Sequence, residues 1–499
     1  MGEIWLAAGL LLTAVAWFAV IPRWRLGLEL FILFTPFAGL IEARLYPAPW
    51  AVLIKDILFA IPAYIGFATS GELGSALAGI PRSVGAVILL FVGLVLVQTL
   101  NPSGPGPLAT LIGLKVWLFY VPMILLGRAY VRDRASLLRL SRLMTGLIWI
   151  PCSVGILQWL LSLTIGYERA ISLFYGAAAS AATQNFSRFD NGLMRIPATF
   201  AFPAQYLGYI LCMFVPVLGC ADAETDMPWR KLRSLSLLAL CVAGFLTGTR
   251  ATFVMIPLML VAFYALRRGA LGVFWAGAMI AALLTVALSI GGIDPAGLAS
   301  MEAVLSENYA QSQAYEIGDA LRETWIGKGV GSSTGAARLA TDDPSQFVGF
   351  EGFYAKAVAE LGIEGAFIAT AAQVALLLLA LRARKDLAGT DLKPYCDTLA
   401  ALAAVVLIYN YKGPVMSLDP MNSLYWLFFG LLCSLHRAVP TRAADNAAAT
   451  QLEADHHGAA LVAVGHNRLI PWRHRERHAP ATLERSPSAT RPAPGICLG

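Results

Sequence analysis

Three arginines stand apart from the other basic residues of this chain. Arg195 lies in Arg195-Ile196-Pro197-Ala198-Thr199-Phe200, just ahead of an apolar run that begins at Pro203. Arg250 closes Thr247-Gly248-Thr249-Arg250 between two apolar stretches, and Arg322 lies in Leu321-Arg322-Glu323-Thr324-Trp325. A guanidinium can grip phosphate oxygens bidentately, and at a membrane edge it would meet the diphosphate of a lipid-linked substrate; snorkelling to the interface is the bland alternative. The run Gly327-Lys328-Gly329-Val330-Gly331 lacks the Lys-Ser/Thr ending of a nucleotide P-loop. It reads either as a turn offering peptide N–H groups to an anion or sugar, or as a plain flexible loop. Between 291 and 352, nine acidic residues outnumber three basic ones, with Tyr309, Tyr315, Trp325, Phe347 and Phe350 among them. Aromatic faces beside carboxylates suit a carbohydrate, and a solvated loop has the same composition. Lys55, Asp56 and Lys115 fall inside apolar stretches, where an unpaired charge is costly. Adjacent residues diverge on a helix, so Asp56 would pair with Lys115 across two helices, as a structural bond or as part of an ion or proton pathway.

The elements that must position these residues are set by hydropathy. Of 499 residues, 58% are hydrophobic and 14% charged, and the mean hydropathy is +0.65, which excludes an ordinary soluble protein. The apolar runs are continuous rather than alternating, which excludes an outer-membrane barrel. The sequence therefore predicts an all-α polytopic transmembrane bundle of about 13 helices (range 11–14). Expected spans lie near 4–20, 26–41, 50–68, 83–100, 108–127, 143–163, 203–221, 234–248, 251–266, 270–290, 362–381, 397–411 and 421–435. The first, with no basic n-region before it, is expected to be retained as a helix.

Alternate loops differ in charge. Those at 21–25, 69–82, 128–142, 222–233, 267–269 and 382–396 hold 17 Lys and Arg; those at 42–49, 101–107, 164–202, 247–252, 291–352 and 409–420 hold nine in about twice the length. The positive-inside rule makes the first set cytoplasmic and puts the long segments 164–202 and 291–352 outside. The net charge of +6 then reads as a topology signal, with the bilayer as partner and no nucleic acid. The bundle is expected to occupy 1–436, and 437–499, rich in Ala, Arg, His and Pro, to be a disordered cytoplasmic tail. All six histidines fall between 436 and 478, so no metal site is expected; the seven cysteines show no C-x-x-C spacing and read as inert thiols.

Four motifs in order carry a resemblance. Arg195-Ile196-Pro197-Ala198-Thr199-Phe200 with Pro203 resembles the Arg-x-x-Gly-Thr-Phe-x-x-Pro segment of the bacterial O-antigen ligase and O-antigen polymerase family. Thr247-Gly248-Thr249-Arg250 is similar to that family's Thr-Gly-Ser-Arg. Arg322-Glu323-Thr324-Trp325 with Gly329-Val330-Gly331 resembles its Arg/Trp segment and Gly-x-Gly turn. Glu351-Gly352-Phe353-Tyr354, followed by Ala359-Glu360-Leu361-Gly362-Ile363-Glu364-Gly365, resembles His-Asn-x-Tyr followed by Ala-Glu-Leu-Gly-x-x-Gly. The chain departs by carrying Glu351 where the family has histidine and Gly352 where it has asparagine.

The resemblance implies a membrane glycosyltransferase of the bacterial inner membrane, working on its periplasmic face with undecaprenyl-diphosphate-linked oligosaccharide and no cofactor, with other polysaccharide assembly or export proteins as candidate partners. On that reading Arg195 and Arg250 hold the diphosphate and Glu351 deprotonates the acceptor hydroxyl. Arg322, Trp325, Lys328, Gly329, Gly331 and Tyr354 contact substrate. Polymerisation of repeat units is the preferred reaction; transfer of the finished glycan to lipid A core or protein is the alternative, and a lipid or polysaccharide transporter is the alternative of another class.

Overall fold

A computed structural model describes residues 2–45, 49–176, 194–249, 251–291, 309–335, 337, 347 and 349–439. Among them the chain is helical, with no strand. Helices α1 (Gly2–Val20), α2 (Trp24–Arg44), α3 (Ile61–Thr69), α4 (Leu73–Ala78) and α5 (Arg82–Gln98) are followed by α6 (Pro107–Leu114), α7 (Met123–Tyr130), α8 (Arg134–Leu147) and α9 (Trp149–Ile165). Next come α10 (Tyr167–Tyr175), α11 (Pro203–Gly219), α12 (Met227–Leu246), α13 (Thr252–Gly291), α14 (Tyr309–Glu323), α15 (Phe353–Asp386), α16 (Lys393–Tyr409) and α17 (Met421–Leu432). Residues 1–439 form one compact unit; of the expected tail 437–499, residues 437–439 belong to this unit, Arg437 within the 3-10 turn Leu435–Arg437, and 440–499 lie outside the described residues.

Among the described residues, six helical stretches are long and apolar enough to cross a membrane: Leu11–Arg44, Trp50–Thr69, Pro107–Tyr130, Arg134–Ile165, Thr252–Ala282 and Phe353–Asp386. Arg82–Gln98, Pro203–Gly219 and Met421–Leu432 are shorter apolar helices. Phe18, Leu89, Leu100, Phe274 and Phe367 are exposed on the outer surface. Apolar side chains facing outward and a core of interlocked rings inside (Tyr206, Phe214, Tyr395, Phe428) are what a lipid solvent permits. The protein is an all-helical membrane protein.

Local chemistry explains the boundaries. Proline occupies the first turn of α3, α6, α11, α12 and α16, where its missing N–H costs nothing. Asp133 and Ser136 form a reciprocal capping box at α8. The expected break at 267–269 falls at Gly269 (φ 61) inside α13, and α15 bends at Gly362 (φ 78), where a span was expected to start. The stretch 291–352, expected as loop, contains α14: Ile317, Ala320 and Leu321 share a helical face packed on Ala355 and Val358. Likewise α10 lies within 164–202.

The two sets of loops gather separately. Arg25 bonds Glu72 (2.5 Å), Arg132 reaches Glu72 (3.4 Å), Arg142 bonds Glu224 (2.6 Å) and Arg267 bonds Asp222 (2.7 Å). Arg134 pairs with Asp391 and Arg384 with Asp397. These bonds tie the six arginine-rich loops into one end of the bundle. Burial alone would raise the Glu224 carboxyl, but bonds from Arg142, the Asp226 peptide and Arg233 override it and hold it at about 2. The other loops meet one another too: Asn101 donates to Gly327 O (2.9 Å) and Lys412 bonds Glu351 (2.8 Å).

Candidate functional site

At this second end, the backbone brings together motifs that lie fifty residues apart. Ile196 N–H donates to Leu246 O (3.3 Å), laying the Arg195 segment against the end of α12. Gly248 sits there at φ +60, and a Cβ on it would fall 2.0 Å from Met194 O and 3.0 Å from Arg195 Cα. No other residue fits both that backbone and that contact. Behind it the hydroxyls of Thr247, Thr249 and Thr252 close a buried triangle with edges of 2.9, 2.8 and 2.7 Å. Arg195 is half-buried and its Nε has no partner, while its carbonyl accepts from Tyr167 (2.7 Å). Arg250, two residues past Gly248, lies outside the described residues.

The same segment holds Ala198 at φ 54, a left-handed conformation that costs a non-glycine residue about 1–2 kcal/mol. It is held there through its carbonyl, which accepts from Gln158 Nε2 (2.7 Å) and Tyr175 Oη (2.8 Å).

The glycine-rich turn is organised by Glu360, fully buried in α15. Its carboxylate accepts from Trp117 Nε1 (2.6 Å), Gly331 N (3.0 Å), Ser333 N (3.0 Å) and Thr334 Oγ1 (2.9 Å). The turn does aim peptide N–H groups at an anion, and that anion is the chain's own. Gly331 has its N–H committed inward, and a Cβ on it would lie 2.3 Å from Ala109 O. Gly329 packs on Gly104 and Asn101. Lys328 donates its N–H to Ala359 O (2.7 Å) and its ammonium to Glu323 (2.7 Å). Arg322 is 83% exposed and reaches Asp319 at 3.5 Å; the Trp325 ring is exposed.

Glu351 projects at 73% exposure and pairs with Lys412, while its own N–H and that of Gly352 donate to Glu316 (3.2 Å each). Tyr354 spends its hydroxyl on Leu407 O (2.7 Å).

The expected pair forms: Lys115 lies 2.8 Å from Asp56. It belongs to a larger buried network that was not foreseen. Lys55, 2% exposed, bonds Asp419 and Tyr120 (2.9 Å), and Tyr120 donates to Asp56 (2.9 Å). Asp419 escaped notice because Ser417-Leu418-Asp419-Pro420 reads as an ordinary turn. Both helices widen at the charges: Asp56–Ala60 and Lys115–Phe119 are π-helical, a feature that concentrates at functional sites. Among the described residues, no group of three His, Cys, Asp or Glu side chains could hold a metal ion.

No family model and no curated protein sequence matches the chain.

Proposed function

We propose that this protein is a polysaccharide polymerase of the bacterial inner membrane, with thirteen spans, an external face carrying segments 164–202 and 291–352, and a cytoplasmic arginine-rich end. Its substrate is an undecaprenyl-diphosphate-linked repeat unit. The acceptor sugar hydroxyl attacks the anomeric carbon of the donor glycan, the bond from that carbon to the diphosphate oxygen breaks, and the hydroxyl proton passes to Glu351. Arg195 and Arg250 take up the charge that develops on the departing diphosphate. Arg322, Trp325 and Lys328 line the approach from the open end.

The observation that carries this reading is the backbone contact at Gly248. It sets the Arg195 segment against the turn that leads into Arg250, the juxtaposition a two-arginine diphosphate clamp requires. The left-handed backbone at Ala198 supports it, because that is the position at which the resembled motif has glycine.

The test is reconstitution of the purified protein in liposomes with lipid-linked repeat units, resolving products by length beside Glu351→Gln. A ladder of multimers that collapses in the variant, with its melting temperature unchanged, supports the reading. Unchanged monomeric repeats refute it. The buried Lys55–Asp419–Tyr120–Asp56–Lys115 network favours a second reading, ion-coupled transport, which would show as substrate movement across the vesicle membrane without chain growth.

A further inference from the structure

At the arginine-rich end one guanidinium differs from those described above. Arg128, in the last turn of α7, is 6% exposed. Its Nε and Nη1 are buried without a hydrogen-bond partner, and no carboxylate among the described residues pairs with it. A second cation stands close by: Arg437 donates to Val131 O (3.4 Å), three residues beyond Arg128, and its charge acts on Arg128. His436 precedes Arg437 in the same short helical turn, Leu435–Arg437.

The placement is built by close packing. A Cβ on Gly127 would lie 2.4 Å from Leu427 O, and one on Gly430 would lie 2.1 Å from Ile124 O and 3.0 Å from Arg128 N. These small residues let α7 and α17 touch backbone to backbone, fixing where Arg128 leaves its helix. Above it, a Cβ on Gly79 would fall 2.1 Å from Arg128 Nε. The guanidinium is therefore laid flat under the α4 turn, with exposed His436 and Arg437 at its rim. Arg128 lies two residues from the end of the apolar stretch Pro107–Tyr130, about 3 Å along the axis, a position from which a long basic side chain can meet the headgroup region.

We infer that Arg128, Arg437 and His436 form a phosphoryl-anion site, with Arg128 as its floor. A buried cation beside a second cation is unfavourable by itself, and an anion would supply both the missing countercharge and an acceptor for a donor that Arg128 leaves unused. The ligand chemistry is that of a phosphate ester or free phosphate, and the depth favours the headgroup of an anionic phospholipid.

The test uses the full chain, purified and delipidated in a nonionic detergent. Melting temperature is followed as phosphatidylglycerol, phosphatidylcholine, inorganic phosphate or chloride is added, and retained lipid is counted by native mass spectrometry. The wild-type protein should be stabilised by phosphatidylglycerol and retain it. Arg128→Gln should abolish that increment without lowering the anion-free melting temperature, and Arg437→Gln should weaken binding about tenfold. Gly79→Ala, which keeps the charge but displaces the guanidinium, should also weaken it and serves if Arg128→Gln fails to fold. Stabilisation by phosphatidylglycerol alone identifies a lipid headgroup; stabilisation by inorganic phosphate as well identifies the phosphoryl group itself. A wild-type protein indifferent to both, or variants that respond as the wild type does, overturns the inference.

Discussion

Replacing Glu360 with alanine should release the glycine-rich turn while leaving the helices in place. The carboxylate accepts four hydrogen bonds in a site with no exposure, and bonds to a charged acceptor contribute about 1.5–3 kcal/mol each. The full sum is not lost. Thr334 can rotate its hydroxyl elsewhere, and removing a buried carboxylate also removes its desolvation penalty, several kcal/mol per ion. What remains is the cost of three buried donors, the Gly331 and Ser333 peptide N–H groups and the Trp117 indole N–H, left without acceptors at about 1–3 kcal/mol each. Loss of the carboxylate that acts on buried Lys356 adds to it. We expect a local loss of about 3 kcal/mol. At 1.4 kcal/mol per factor of ten, peptide hydrogen exchange across 327–334 should accelerate about a hundredfold, measured by mass spectrometry of the protein in nanodiscs. Glu360→Gln, which retains one acceptor oxygen, should fall between. Less than a threefold change in Glu360→Ala, with the rest of the exchange map intact, would show that the carboxylate is not what holds the turn.

Gly248→Ala must both adopt a left-handed backbone and displace Met194 O, and should cost about 2–4 kcal/mol; a melting temperature equal to the wild type's would sink the proposed contact. Asp56→Ala leaves buried lysines short of a carboxylate and should destabilise by about 3–5 kcal/mol. A double-mutant cycle with Lys115→Met should return a coupling above about 1 kcal/mol, and additive effects would break the pair. Glu224 is held at about 2 against an ordinary 4.5, so its stabilisation is complete above about pH 4.5 and disappears as the pH falls to 2. The loss is up to about 3 kcal/mol, read by acid denaturation in detergent, and Glu224→Gln should flatten it; an acid limb identical in the variant contradicts the assignment.

Hydropathy placed the chain turns at Gly269 and Gly362 because apolar runs stop where the backbone must reverse φ, and it paired Asp56 with Lys115 because two lone charges in apolar helices have few options. It could not find Asp419, whose partner Lys55 lies 364 residues away and whose local sequence satisfies a turn. Nor could it assign Glu360. A glutamate in Ala-Glu-Leu-Gly carries no sign that its acceptors are peptide groups of a distant loop. The helix α14 was hidden by its many charges: only three or four positions face the core, too few to raise mean hydropathy. The Lys and Arg count put Arg195 and the Thr247-Gly248-Thr249 turn on the same side of the bundle, but their backbone contact could not be read from the sequence.

The π-helical segments at Asp56 and Lys115 carry a mechanical consequence. The Ile61 N–H reaches back five residues to Asp56 O, so that turn holds one residue more than an α-turn, and one residue is about 100° of rotation. Were the charges removed and the turns to tighten, everything C-terminal to them in the same helix would swing by that angle. The Asp56–Lys115 bond thus acts as a gear-stop. It sets the rotational phase of α3, which continues directly from Asp56–Ala60.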